Sequence, residues 1–407
     1  MRVATARGFR DVLPQEAAER EVIAEAVAAA FDAWGYGPVE TPAVEEYASL
    51  EAAAGPLEGM AFRLFDLDGR LLALRPEMTV PVARLAASRL LPAEGGPLRL
   101  RYAAPVFREH ASLRGQPRQF TQLGVELLGA GGPEADAEVV ALAVEAVRAA
   151  GLGRAVVAVG TVGVLNALIE AGGAGEEWRA GVSAAAHARD LVGIDALASA
   201  PGVPPDVARG LRAVPRLRGG GEAVEACREL VAGLGCDDAL DGLATVWQAL
   251  AVLGLESWAA IDFGVVRGFE YYTGLVLEVY APGVGAPVGG GGRYDNVLAA
   301  FGVPAPAAGF ALGLERLHIA AEEHGAVPVA RGTDDVVGGP SAAAFAAAAG
   351  LRRAGRRVEL LAGAPAAEVA ALAASRGARA LLAEGTGLTL LGGRGGEPEA
   401  PPGGVAP

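Results

Sequence analysis

The chain has 407 residues, 52% of them hydrophobic and 20% charged, with a formal net charge of −14; this balance excludes a disordered chain and leaves room for two or three domains. Its 34 basic residues are all arginine, which excludes a Walker-type Gly-Lys-Ser/Thr phosphate loop and a Schiff-base lysine. The acidic balance argues against a nucleic-acid partner, because Lys and Arg contacts to phosphate supply most non-specific affinity.

The N-terminal stretch "MRVATARGFRDVLP" lacks the apolar core of a signal peptide, and no run of about 18 apolar residues without charge follows, so no membrane span and a cytoplasmic location are expected. Residues 15–34, after Pro14, place Ile23, Val27, Phe31 and Trp34 on one helical stripe. "GYGPVETPAVEEY" reads as an extended, proline-marked segment. "AFRLFDLDGRLLALRPEMTVPVARLAASRL" reads as a hairpin turning at Asp-Gly and then a helix. "PLRLRYAAPVF" alternates Leu98, Leu100 and Tyr102 against Arg99 and Arg101, as a half-buried strand does. Residues 134–150 form an amphipathic helix ended by Gly151. From about 152 to 258 the chain is mostly helical. There Cys227 and Cys236, with no His or Cys at metal spacing, read as buried inert thiols, and no metal site or cofactor is expected. Strands return in "AAIDFGVVRGFEYYTGLVLEVYAPG". A glycine loop, "GAPVGGGGRYDNVL", leads into "PAAGFALGLERLHIAAEEHG", a strand feeding a helix. After "VPVARGTDD" comes a β-α-β-α-β pattern, and the end, "GGRGGEPEAPPGGVAP", reads as a flexible tail.

Hairpins and short strands interleaved with helices predict an α+β fold, an antiparallel sheet flanked by helices. The expected domains are a core over 1–325 with a mostly helical insertion over about 152–258, a small α/β domain over 333–392, and a tail over 393–407.

Three segments carry candidate chemistry. On "QFTQLGVELLG" taken as a strand, Thr121, Leu123, Val125 and Leu127 share one face, and Phe120, Gln122, Gly124, Glu126 and Leu128 the other. Gln122 and Glu126 then flank Gly124, which leaves space above the strand for a small polar ligand; a solvent-facing strand fits equally well. "LRPEMT" puts Glu77 and Thr79 on one face if extended, and a carboxylate beside a hydroxyl suits an α-ammonium group. "VVRGFEYYTG" offers Arg267 to a carboxylate and Tyr271 or Tyr272 to an imidazole or amide; a surface salt bridge and core packing are the alternatives.

These motifs, with "GGGRYDNVL" and "AAGFALGLERL" in the same order, resemble the class II aminoacyl-tRNA synthetase core in its histidyl-tRNA synthetase version, over about residues 7–320. "WGYGPVETP" is similar to the dimer-forming first motif of that class, "FRE" begins the second, "GFALGLERL" is the third, and "RGFEYYTG" resembles the histidine-specific segment. The resemblance has two branches: the synthetase, and its catalytically silent relative, the regulatory subunit of ATP phosphoribosyltransferase. Where the synthetase has Phe-Arg-any-Glu, with the acid serving adenine, this chain reads Phe107-Arg108-Glu109-His110. On a strand that single step turns Glu109 to the face opposite Arg108. "QFTQ" stands where the synthetase has Gln-Phe-His-Gln, with Thr121 at the His position. "QFTQLGVELLG", "RDLVGIDAL" and "AVPRLRGGGEAV" are closer to the regulatory branch. Residues 331–407 hold eight arginines, seven acids and a single aromatic, Phe345, a poor surface for RNA. Arg108, Arg267 and Arg316 match synthetase arginines that handle ATP or the carboxylate.

The regulatory branch implies a chain without catalytic residues of its own, partnered by a short-form catalytic subunit that joins ATP to phosphoribosyl pyrophosphate. It implies a homodimer within a hetero-oligomer, activation of the partner, and feedback inhibition by histidine. The resemblance further implies a histidine site. Glu77, Thr79 and Gln122 would take the α-amino group, Arg267 with Arg108 the carboxylate, and Glu126 an imidazole N–H, with Tyr271 or Tyr272 closing the other side. The alternatives are an active histidyl-tRNA synthetase and a stand-alone histidine-binding protein. His110 is read as incidental.

Overall fold

A computed structural model of the chain describes residues 4–57, 59–109, 117–173, 175–265, 272–327 and 332–393. Helix α1 (Pro14–Ala33) starts on a proline, whose fixed φ suits the first helical turn, and buries Ile23, Val27 and Phe31. Strand β1 (Gly37–Pro38) follows. Strands β2 (Val44–Glu46), β3 (Arg63–Phe65) and β4 (Leu71–Leu74), with helix α2 (Tyr47–Ala54) between the first two, make a small sheet ordered β2-β4-β3. The predicted Asp-Gly turn is present: Gly69, at φ 85°, donates its amide to Asp66 O at 2.9 Å. Helix α3 (Thr79–Leu85) continues through a π-helical turn, Ala86–Leu90, into α4 (Leu91–Glu94). Strands β5 (Leu98–Phe107) and β6 (Gln119–Leu128) pair antiparallel and lead to α5 (Gly132–Ala149).

Next come β7 (Val156–Thr161), helices α6 (Val162–Ala171), α7 (Glu176–His187), α8 (Leu191–Ala198) and α9 (Pro205–Ala213), the short β8 (Arg218–Gly219), and helices α10 (Gly221–Leu230) and α11 (Asp237–Val252). Strands β9 (Ala259–Asp262), β10 (Leu275–Tyr280), β11 (Gly289–Arg293) and β12 (Ala307–Gly313) then run into α12 (Leu314–Glu323). The main sheet is ordered β1-β5-β6-β12-β11-β10-β7-β9-β8. It is antiparallel except for the pairs β1–β5 and β7–β9. This matches the expected helix-flanked antiparallel sheet. The strand β7 at the start of the helical stretch is a member of that sheet.

Two readings change. The "GGGG" run is the buried strand β11, not a loop. A Cβ on Gly291 would lie 2.0 Å from Gly309 O and 2.5 Å from Phe310 Cα, so only glycine lets these strands approach. Strand β5 stops at Phe107. Arg108 still donates its amide to Arg118 O at 2.9 Å, but the Glu109 amide bonds Met60 O at 2.8 Å. The chain leaves its partner strand there, and the opposite-face argument for Glu109 does not apply.

Residues divide into two compact units, Met1–Pro328 and Val329–Pro407. The second holds β13 (Asp335–Gly339), α13 (Ser341–Arg353), β14 (Val358–Ala362), α14 (Ala366–Arg376) and β15 (Arg379–Glu384). An unforeseen strand, β16 (Gly387–Gly392), pairs antiparallel with β15 at the sheet edge. The tail beyond residue 393 lies outside the described residues. Among the described residues no helix is long and apolar enough to cross a membrane.

Candidate functional site

The strand β6 sorts its side chains as period-two geometry demands. Leu123, Val125 and Leu127 enter the core beneath α1 and α5. Leu128 and Phe120 pack with Leu98, Leu100 and Tyr102 on the other face. Glu126 points into that second layer and is 1% exposed. Its Oε1 accepts from the Tyr102 hydroxyl at 3.0 Å, and its Oε2 accepts from the Tyr294 hydroxyl. Room for the carboxylate comes from β12, where a Cβ on Gly309 would sit 2.0 Å from Glu126 Oε2.

The space above Gly124 is not open. Tyr102 stands opposite Gly124 in the β5–β6 register, and a Cβ there would lie 2.4 Å from the Tyr102 hydroxyl. Glycine admits a tyrosine ring, which carries its hydroxyl to Glu126. Tyr294, 2% exposed, follows the last residue of β11. Its amide bonds Ala307 O at 2.8 Å. The preceding Arg293 is anchored on α5 through Asp136, Nε to Oδ1 at 2.9 Å. Neither tyrosine was assigned a site role from the sequence. A bulky residue directly across from a mid-strand glycine was the available signal for Tyr102; Tyr294 had none.

Glu77 and Thr79 do meet, but not along an extended segment. Thr79 opens α3, and Glu77, 4% exposed, accepts from the Thr79 amide at 2.6 Å and the Val80 amide at 3.0 Å. A carboxylate there satisfies amides that a helix start leaves without partners. The Thr79 hydroxyl acts on both the Glu77 and Glu126 carboxyls and pulls each down. Gln122, on the Glu126 face of β6, has a buried Oε1 with no hydrogen-bond partner.

Arg108 donates from Nε to Pro76 O at 2.8 Å and lies over the Phe120 ring at 5.0 Å. Its charge also acts on Glu77. Glu109 pairs with Arg118 at 2.9 Å. Arg316 donates to Pro287 O at 2.5 Å. Tyr272 packs between the Tyr102 layer and the Val276 side of β10. Arg267, Tyr271 and His110 lie outside the described residues.

Burial dominates the electrostatics of the pair. It pushes the Glu126 carboxyl up to about 8; the Tyr294, Thr79 and Tyr102 hydroxyls pull it down and neighbouring Glu77 raises it further. Burial also raises Glu77, against the pull of the Val80 and Thr79 amides, the Thr79 hydroxyl and Arg108. The two carboxyls are thus a buried acidic pair whose ionisation burial opposes, with the unsatisfied Gln122 acceptor on the Glu126 face of β6. Its chemistry favours a ligand rich in N–H donors. Elsewhere, Glu19, His318 and Glu322 bring potential metal-ligand atoms within 4.8 Å of one another, and the His318–Glu19 contact at 2.8 Å is a hydrogen bond. The two cysteines are buried and free, with the Cys227 thiol pushed up to about 12 by burial.

A family model described as histidyl-tRNA synthetase matches residues 8–317. The ATP phosphoribosyltransferase regulatory subunit of Moorella thermoacetica is 43% identical over 327 residues, 80% of this chain and 84% of that relative. The protein of the same name from Symbiobacterium thermophilum is 42% identical over 360 residues, 87% and 89% of the two chains. A solved structure, described as an ATP phosphoribosyltransferase regulatory subunit/histidyl-tRNA synthetase from Bacillus halodurans C, superposes with a TM-score of 0.82 at 32% identity, covering 92% of this chain and 97% of that one.

Proposed function

The chain belongs to the family of ATP phosphoribosyltransferase regulatory subunits, built on the histidyl-tRNA synthetase fold, and from that premise we propose that it senses histidine for a catalytic partner rather than activating it for tRNA. In this reading it is a non-catalytic subunit acting in histidine biosynthesis. It raises the activity of a short-form catalytic subunit and confers feedback inhibition by histidine. It forms a homodimer, through the "WGYGPVETP" segment, inside a hetero-oligomer.

The observation that carries the reading is the buried pair Glu77 and Glu126, both acted on by the Thr79 hydroxyl, with the orphaned Gln122 acceptor on the Glu126 face of β6. Histidine offers two kinds of N–H, an ammonium and an imidazole. The ammonium would satisfy Gln122 Oε1 and lie against Glu77 and Thr79. Arg108, which already acts electrostatically on Glu77, would meet the carboxylate together with Arg267. The imidazole N–H would go to Glu126, whose two oxygens each hold one tyrosine hydroxyl and retain a further lone pair. Tyr272, with Tyr271, would border the ring. Donor contacts favour the ionised carboxylate, so histidine binding near neutral pH should release a proton from Glu126. On the nucleotide side, Glu109 is engaged by Arg118, a contact that competes with a role in holding adenine.

Inhibition requires histidine to bind the inhibited state of the complex more tightly than the active one. Glu126→Gln should weaken histidine inhibition by roughly 5- to 150-fold, the equivalent of one unpaired buried acceptor or donor, while unliganded activation of the partner is retained. Unchanged inhibition in that variant would move the sensor elsewhere. Robust histidine-dependent ATP–pyrophosphate exchange by the purified chain would instead establish an active synthetase.

A further inference from the structure

A cavity of about 220 Å³ lies among the insertion helices, and its lining includes neither Glu77 nor Glu126. Its walls are apolar, with Leu165 and Leu168 of α6, Ile194 of α8, Leu211 of α9 and Phe263 after β9. Two lining residues are cationic, Arg189 and Arg218. They come from "RDLVGIDAL" and "AVPRLRGGGEAV", stretches that set this sequence apart from the synthetase pattern and that the histidine pocket does not use.

Both arginines are held in place. Arg189 is the only non-glycine residue with positive φ among the described residues, at 53°. It follows the C-cap Ala188 of α7, where the left-handed conformation usually selects glycine. From there its Nη2 reaches the Glu278 carboxylate and the Tyr280 hydroxyl, the latter at 2.8 Å. Arg218 is fixed through Nε to Asp262 at 2.9 Å. Gly264 lets the wall close: a Cβ there would lie 2.8 Å from Pro215 O and 3.0 Å from Asp262 Oδ1. Arg189 reaches its partners through Nη2 and Arg218 through Nε, and a guanidinium carries five N–H donors.

We propose that this cavity binds a small organic monocarboxylate with a compact apolar body. The carboxylate sits at Arg189 and Arg218, and the body lies against Leu165, Leu168 and Phe263. Size sets the body: an apolar cavity of about 150 Å³ accepts a benzene ring, so this one takes a single ring, or a branched chain of like size, plus a carboxylate. Charge sets the head group. Glu278 and Asp262 each pair with one arginine and leave no surplus charge for a dianion, while the N–H donors of the two guanidiniums fit the two oxygens of a carboxylate. The site stands independently of the histidine reading.

Titration calorimetry with phenylacetate on the full-length chain, in saturating histidine to keep the other pocket occupied, tests the assignment. Saturable binding at one site per chain is expected. Arg218→Gln should weaken it about tenfold, the loss of one charge-assisted contact. Leu165→Phe, which fills the cavity, should weaken it by a similar factor, as should replacing the ligand by neutral 2-phenylethanol. Arg218 is 67% exposed, so its variant keeps the test decisive if Leu165→Phe fails to fold. Absence of saturable binding to the wild type would overturn the proposal, as would equal affinity in Arg218→Gln, or phenyl phosphate binding as tightly as phenylacetate.

Discussion

Replacing Glu126 by Gln keeps the side chain's shape and removes its titration. In the folded chain, burial pushes this carboxyl up to about 8 from an ordinary 4.5, and the Tyr294, Thr79 and Tyr102 hydroxyls offset only part of that rise. Between those two values the folded protein holds a proton that the unfolded chain has released, so stability must fall as pH rises through the window. One pKa unit corresponds to about 1.4 kcal/mol. From pH 5.5 to pH 8.5 the wild type should therefore lose about 3 kcal/mol relative to Glu126→Gln. Urea unfolding of both proteins, followed by far-UV circular dichroism at several pH values, gives this difference directly. Taking the difference cancels other raised acids such as Asp136. At pH 5.5 the two proteins should be of similar stability, since a protonated Glu and a Gln both donate. Parallel pH profiles would refute the argument and mean that Glu126 is ionised in the folded chain throughout.

Gly124→Ala should destabilise by about 1–3 kcal/mol, because its Cβ would lie 2.4 Å from the Tyr102 hydroxyl and 2.6 Å from Phe310 O; a shift in urea midpoint measures it, and an unchanged midpoint would show that Tyr102 can swing clear. In the C-terminal unit, burial pushes the fully buried Asp335 up, but hydrogen bonds from Arg356 and Arg379 outweigh it and hold its carboxyl below the usual range. Its contribution is present above the ordinary value of 3.8 and lost as pH falls through the lower folded value. Asp335→Asn should accordingly speed amide hydrogen exchange in β13 at pH 7, with a cost of about 2–3 kcal/mol given that both arginines are partly solvated. Cys227 and Cys236 are buried, and burial raises both thiols; a disulfide-exchange reagent should label them only after denaturant unfolds the chain.

Part of the site was legible because strand periodicity is a local property. The alternation in "QFTQLGVELLG" correctly put Leu123, Val125 and Leu127 in one layer and Glu126 in the other. The same rule failed at Glu109, since its N–H donates to Met60 O, on a residue 49 positions earlier, where the chain leaves its strand. Glu77 and Thr79 were paired for the wrong reason. The two meet at a helix start rather than along an extended segment, where Glu77 accepts from the first amides of α3. Glycine was misread in both directions. The run at Gly289–Arg293 looked like a loop and is a central strand, and Gly124 looked like open space and is filled by a tyrosine.

By itself the sequence determined the buried stripe of α1, the β5–β6 alternation, the strand feeding α12 and the family, because side-chain direction follows from local backbone geometry and the motifs keep their order. Tertiary structure alone decided what the pocket contains. Tyr102 and Tyr294 stand 24 and 168 residues from Glu126 in the chain, and their hydroxyls reach it only once β5, β6, β12 and β11 have paired in register. The upward push on the Glu126 carboxyl is likewise a consequence of burial by distant segments, which no reading of neighbouring residues contains.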